Sequence, residues 1–280
     1  MSDKNNKPQN IIGVFDSGLG GLTVFKHFLD SLPDYNYIYL GDNARLPYGE
    51  KSPATIYEYT REAVEFLFLA GCNLIIIACN TASAQALRKI QQEYLPAHWP
   101  NRRVLGVIRP LAEKFANPKF KKIGVIGTKS TIAAGAYQTE IKKLSPKVEV
   151  FETSAPLLVP LIEEGWAKKP ETKMILKKYL HPLKIKQIRA LILGCTHYPF
   201  LLKEIQKIMG KNVSVPDPGE IIATSLNAYL ARHPELEIKK TKNATRQYLT
   251  TDNPILFQKL GEKFLGKHMN QVTQVKISKL

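Results

Sequence analysis

Two cysteines give the first suggestion of chemistry. Cys79 ends the apolar run of "LIIIACNTASAQAL" (residues 74–87), and Cys195 ends that of "ALILGCTHYPFLL" (residues 190–202). A Thr follows each within two positions, and then a helical pattern. A lone cysteine after a strand is most often a small buried hydrophobe, and Cys72 in "AGCNLIII" reads that way. A matched pair set among polar loop residues argues instead for two thiols flanking one small ligand. With His197 they would also offer soft metal donors. However, Cys-x-His lacks the usual zinc-ligand spacing and no second Cys pair exists, so no metal is expected. The glycine-rich "GVFDSGLGGL" suggests a dinucleotide turn. Yet Asp16 and Ser17 stand where the first glycine of that fingerprint belongs, and a carboxylate there would repel a pyrophosphate. No cofactor is expected.

Something must hold these residues. In open α/β sheets the working side chains lie just beyond the carboxyl ends of strands. "NIIGVFD", "YNYIYLGD" and "CNLIIIAC" read as buried strands, with "TVFKHFLDSL", "SPATIYEYTREAVEFLFLAG" and "TASAQALRKIQQEYL" as helices. In the second helix Ser52 is the expected cap, Pro53 the first turn and Gly71 the exit. The order repeats with "RVLGVI", "KKIGVIG", "STIAAGAYQTEIKKL", "VEVFE", "TKMILKKYLHPL" and "IRALILGC". Alternating short apolar runs and helices predict parallel α/β sheets with covered faces. Ile12-Gly13-Val14 recurs as Ile123-Gly124-Val125 at an offset of 111, and Cys79 recurs as Cys195 at an offset of 116. Two similar halves are expected, each ending a strand in a cysteine, with a crevice between them.

Composition narrows the class. The 280 residues are 44% hydrophobic and 23% charged, ordinary for a soluble globular protein. No apolar stretch is long enough to cross a bilayer, so no membrane is expected as a partner. The start, "MSDKNNKPQN", reads as a short disordered tail without a signal core. Three cysteines cannot make a disulfide framework, which points to a reducing compartment and a cytoplasmic protein. The net charge is +16, yet residues 1–100 hold 8 Lys/Arg against 10 Asp/Glu and the remainder 32 against 14. The lysines come in pairs ("IKKL", "AKKP", "ILKKYL") and read as a solvated surface. No nucleic-acid-binding motif accompanies them.

Six segments together resemble the cofactor-independent glutamate racemases, from about Ile12 to the C-terminal region. They are "FDSGLGGLTV", "YLGDNARLPYGEKS", "ACNTASA", "VIGTKSTIAAGAY", "PLLVPLIEEG" and "LILGCTHYPFLL", in the family's order. The resemblance implies inversion of the α-carbon of glutamate without pyridoxal phosphate or metal. One cysteine, as thiolate, removes the α-proton, and the other, as thiol, delivers one to the opposite face. A single base returning its proton to the same face would not invert the centre. A free thiol titrates at about 8.5, so the thiolate needs help near neutral pH.

The roles implied by the resemblance fall on particular residues. Cys79 and Cys195 are the acid/base pair, the first acting on D-glutamate and the second on L-glutamate. Asp16 handles the proton of Cys79 or the substrate ammonium. His197 partners Cys195, and Glu163 orients His197. Asp42 is a further supporting acid. Ser17, Tyr48, Gly49, Asn80, Thr81 and Thr196 form the substrate shell together with Asp16 and His197, and Thr128 joins them. His197 also points to glutamate, since the related aspartate racemases generally carry Glu after the second Cys-Thr. Arg109, Ala155, Pro216 and Pro218 depart from the common pattern without removing a catalytic residue. The expected domains are residues 11–103 with 214–280, and 104–213, the return resting on the resemblance and on "RQYLTTDNP" as a late strand. A homodimer and supply of D-glutamate for peptidoglycan are likewise implied. Contact with nucleic acid or a topoisomerase is reported for some members but carried by no motif here.

Overall fold

Nine strands form among the described residues: β1 (Ile11–Asp16), β2 (Asn36–Gly41), β3 (Cys72–Ile77), β4 (Arg103–Gly106), β5 (Lys122–Gly127), β6 (Glu149–Ser154), β7 (Ala190–Gly194), β8 (Arg246–Thr250) and β9 (Val272–Gln274). The computed structural model describes residues 10–117 and 119–277, so nearly all of the expected N-terminal tail lies outside it. Every strand pairing is parallel. One sheet has the order β4-β3-β1-β2-β8-β9 and the other β6-β5-β7. The repeat seen in sequence is therefore topological. β1 lies between β3 and β2 as β5 lies between β7 and β6, and each thiol follows the corresponding strand, β3 or β7.

The continuous apolar runs follow from burial on both faces. Ile12, Val14, Tyr37, Tyr39, Leu74 and Ile76 enter one core. Their alternate neighbours Ile11, Phe15, Ile38, Leu40, Ile75 and Ile77 enter another. The first core also takes in Leu191 and Leu193 of β7, so apolar packing runs from one sheet to the other.

The helix Pro53–Leu69 starts and stops as its sequence predicts. Ser52 Oγ accepts from Thr55 N–H at 3.2 Å, Pro53 sits in the first turn, and Gly71 takes φ 92° at the exit. Two expected helices are interrupted. After Cys79 the chain runs Asn80–Gln85, Leu87–Lys89, a π-helical stretch Ile90–Tyr94 and Leu95–His98. Pro96 has no N–H to give and crowds the carbonyl four residues back. In "STIAAGAYQTEIKKL" Gly135, at φ 58°, separates Lys129–Ala133 from Ala136–Leu144. "RVLGVI" does not open the second sheet, because Arg103–Gly106 pairs with β3 as the edge of the first. The first sheet thus takes in residues 104–106. "RQYLT" is the late strand β8, returned beside β2. The paired lysines Lys142–Lys143, Lys168–Lys169 and Lys177–Lys178 are exposed.

Candidate active site

Cys79 and Cys195 lie just past the carboxyl ends of β3 and β7, and each is only 5% exposed. Cys79 caps the helix Asn80–Gln85, its Sγ accepting from Ala82 N–H at 3.5 Å. Its second neighbour is Ser17 Oγ at 3.4 Å. Burial pushes the Cys79 thiol up to about 12, and the charge of Asp16 adds to this, against the hydrogen bonds from Ser17 and Ala82. Cys79 is therefore in its proton-donating form at neutral pH. Cys72 is buried in the apolar core, and burial also pushes it up to about 12. It is inert packing, as its sequence context implies.

The loop after β1 connects the two thiols. Asp16 ends β1 with no exposure, and its Oδ2 accepts from Gly18 N–H at 3.0 Å. Among the described residues its Oδ1 has no hydrogen-bond partner. Burial raises the carboxyl of Asp16, while His197 and the backbone of Gly21 and Gly18 pull it down. An isolated buried carboxylate oxygen is costly, and carboxyls perturbed in this way cluster at functional sites. Farther along the loop, Gly20 presses on the second cysteine segment. A Cβ at Gly20 would stand 2.3 Å from Thr196 Oγ1 and 2.5 Å from His197 Nδ1. Thr23 Oγ1 donates to the Thr196 carbonyl at 2.8 Å, fixing that contact.

On the far side, Cys195 Sγ lies 3.9 Å from His197 Nδ1, and His197 Nε2 lies 3.0 Å from Glu163 Oε1. Burial alone would lower the basicity of His197. Hydrogen bonds to Cys195 and Glu163 outweigh it and hold the ring at about 10, an imidazolium at neutral pH. Glu163 ends the helix Leu158–Glu163 and keeps 34% side-chain exposure.

The expected substrate shell divides. Asn80, Thr81 and Thr196 are buried beside the thiols. Thr81 Oγ1 lies 2.9 Å from Thr128 Oγ1 and 3.2 Å from Thr131 Oγ1. A Cβ at Gly49 would meet Thr128 at 3.0 Å, so the loop after β2 touches the loop after β5. Tyr48 is buried, but its hydroxyl donates to Asp42 Oδ2. Asp42 also accepts from Arg45 Nε at 2.6 Å and from Thr251 Oγ1 at 2.9 Å, and Arg45 pairs in turn with Glu62. Asp42 and Tyr48 thus anchor the loop that carries Gly49, and Asp42 supports from behind. Arg45, Glu62, Gly20 and Thr131 make contacts here that no sequence spacing singled out.

The departures from the common pattern make contacts of their own with partners other than the thiols. Arg109 pairs with Glu113 and Glu140, Ala155 accepts from the Tyr198 hydroxyl at 3.0 Å, and Asp217, between Pro216 and Pro218, caps the helix Pro218–Arg232 and pairs with His27. An open cavity of about 620 Å³ lies near Arg88, Arg109 and Tyr229, and neither cysteine lines it. Among the described residues no group of His, Cys, Asp or Glu gathers as a metal site, and no helix is long and apolar enough to cross a membrane.

Two buried thiols at matched strand ends, one beside the buried Asp16 carboxylate and one beside a cationic imidazole, suit proton transfer at one small, closed centre. The family description Asp/Glu/Hydantoin racemase matches residues 22–226. A glutamate racemase of Geobacter metallireducens is 40% identical over 272 residues, covering 96% of this chain and 98% of that one. The crystal structure of a glutamate racemase from Francisella tularensis in complex with D-glutamate has a TM-score of 0.86 at 38% identity, over 97% of this chain and 98% of that one. A glutamate racemase isoform from Bacillus anthracis has a TM-score of 0.87 at 33% identity, over 96% and 98%.

Proposed function

The chain belongs to the Asp/Glu/Hydantoin racemase family, and on that premise we propose that it interconverts L- and D-glutamate by a two-thiol proton transfer without a cofactor. The observation that carries this reading is the paired placement of Cys79 and Cys195 past equivalent strands, joined through the Asp16–Gly20 loop.

In the direction from L-glutamate, the Cys195 thiolate takes the α-proton and the Cys79 thiol delivers its own to the opposite face. In reverse the roles exchange. The imidazolium of His197 balances the charge on the Cys195 sulfur, and Glu163 holds the ring in line. Asp16 accepts the substrate ammonium or the proton of Cys79. Backbone N–H groups of the loops and the amide and hydroxyls of Asn80, Thr81 and Thr196 receive the carboxylates, with Ser17 and the Tyr48–Gly49 loop closing the shell. Exclusion of water keeps the developing carbanion from competing reactions and strengthens these contacts.

We read each sheet with its covering helices as one domain, residues 107–213 forming the second and the remainder the first. The same proposal includes a cytoplasmic homodimer that supplies D-glutamate for peptidoglycan. The test is chiral analysis of glutamate incubated with purified, exhaustively chelated protein, with aspartate enantiomers in parallel. Conversion of L- to D-glutamate with no added cofactor supports the reading. Faster turnover of aspartate, or activity restored only by zinc, overturns it.

A further inference from the structure

We infer that Tyr137, a residue with no assigned part in this chemistry, sets the spacing between the two cysteine loops and orients Asn80. The inference rests on the reading that Cys79 and Cys195 exchange the proton.

The argument starts from the turn at Gly135. Its left-handed conformation, φ 58°, starts the helix Ala136–Leu144 in a new direction. Tyr137, in the first turn, has no solvent exposure. Its ring lies against Gly194, the residue before Cys195. A Cβ at Gly194 would stand 3.1 Å from Tyr137 Cε2 and 3.1 Å from the Ile126 carbonyl oxygen, so that glycine leaves the space the ring occupies. The hydroxyl, on the ring carbon next to Cε2, donates to Asn80 Oδ1 at 2.5 Å, and Asn80 is the residue after Cys79. One rigid side chain therefore spans from the segment of one thiol to the segment of the other. It belongs to the half built on β5, whereas Asn80 follows β3.

Two consequences follow from the chemistry of the groups. An aromatic ring has only two side-chain torsions, so a buried tyrosine whose outer edge is wedged between the two segments is a spacer that holds them at a fixed separation. With Asn80 Oδ1 taken by the tyrosine proton, the end of the amide left for a ligand is its NH2, the end that suits a carboxylate. The hydroxyl thus acts on substrate binding and the ring on the placement of the thiols. Tyr137 acts in this role through Asn80 and Gly194 and is a positioning residue.

The test separates hydroxyl from ring by measuring kcat and KM with both enantiomers of glutamate. Tyr137→Phe keeps the spacer and loses the bond to Asn80, and is expected to raise KM about tenfold with kcat within about threefold of wild type. Tyr137→Leu loses the spacer and is expected to lower kcat about a hundredfold. Because the second variant also leaves a void that can impair folding, a double-mutant cycle accompanies it. On an Asn80→Ala background, Tyr137→Phe should add nothing further to KM. Additive losses in that cycle, or a Tyr137→Phe enzyme with the wild-type KM, overturn the inference while leaving the racemase reading intact. A wild-type protein that turns over neither enantiomer overturns both.

Discussion

His197 Nε2 lies 3.0 Å from Glu163 Oε1, and the other ring nitrogen faces Cys195. This arrangement makes Glu163 the group that fixes the direction of the ring and, with Cys195, holds its charge. Glu163→Gln keeps the shape and removes the charge. The enantiomers of glutamate have equal free energies, so kcat/KM must fall equally in both directions, by about 10–100-fold. The asymmetry should show elsewhere. Proton transfer at Cys195 becomes more fully rate-limiting, and the deuterium isotope effect on α-deuterated L-glutamate should exceed that on the D enantiomer. Equal isotope effects would contradict the pairing of His197 with Cys195.

The same pair predicts a pH dependence of stability. His197 is held at about 10, above its ordinary 6.5. The folded protein therefore binds a proton that the unfolded chain releases in the interval between these values. The stabilisation is complete below about 6.5 and is lost progressively as pH rises toward 10. Thermal unfolding followed across this window should show Tm falling, with a shallower fall in Glu163→Gln. Parallel profiles would show that the pair contributes nothing to this dependence.

Asp16 should give the opposite relation between stability and activity. Burial raises its carboxyl, so its ionised form costs stability above the ordinary carboxylate range, and acidification relieves that cost. Its Oδ1 has no partner to offset the burial. Asp16→Asn is expected to raise Tm by a few degrees, at about 1 kcal/mol of gained stability. It should lower kcat about a hundredfold or more. A variant that loses stability and activity together would show that Asp16 is structural.

Gly20 tests the contact between the β1 loop and the second cysteine segment. Gly20→Ala places a methyl 2.3 Å from Thr196 Oγ1, at a site where φ does not demand glycine. Relief requires the two loops to separate, at a cost of about 1–3 kcal/mol. Both Tm and kcat should drop. The control is Gly18→Ala, where the first contact is the end of the Leu46 side chain at 3.0 Å, a neighbour able to give way. Equal effects at the two positions would contradict this account of the loop.

The thiols were legible because a cysteine ending an apolar run is a local pattern, and because the pattern occurs twice at nearly the offset of the strand repeat. Asp16 and His197 enter through the resemblance to the glutamate racemases, each lying within a short distinctive segment. Gly20 against Thr196, Arg45 with Glu62, and Tyr137 against Gly194 depend on contacts between distant segments that leave no spacing in the chain. The edge strand β4 was placed with the wrong sheet because an apolar run of four residues encodes its own extension but not its partner. The break at Gly135 was missed because one glycine in a helical pattern does not declare the sign of its φ.

The central claim is that Cys79 and Cys195 act on opposite faces of one carbon. A glutamate analogue with a leaving group at the β-carbon tests it most directly, since elimination needs only removal of the α-proton and departure of that group with its electron pair. Cys79→Ser and Cys195→Ser should each abolish racemisation, because a serine hydroxyl is a far poorer base than a thiolate. Each should retain elimination from one enantiomer. The account predicts that Cys79→Ser eliminates from the L analogue and Cys195→Ser from the D analogue. Elimination by both variants from the same enantiomer, or racemisation of glutamate by either at the wild-type rate, would contradict it.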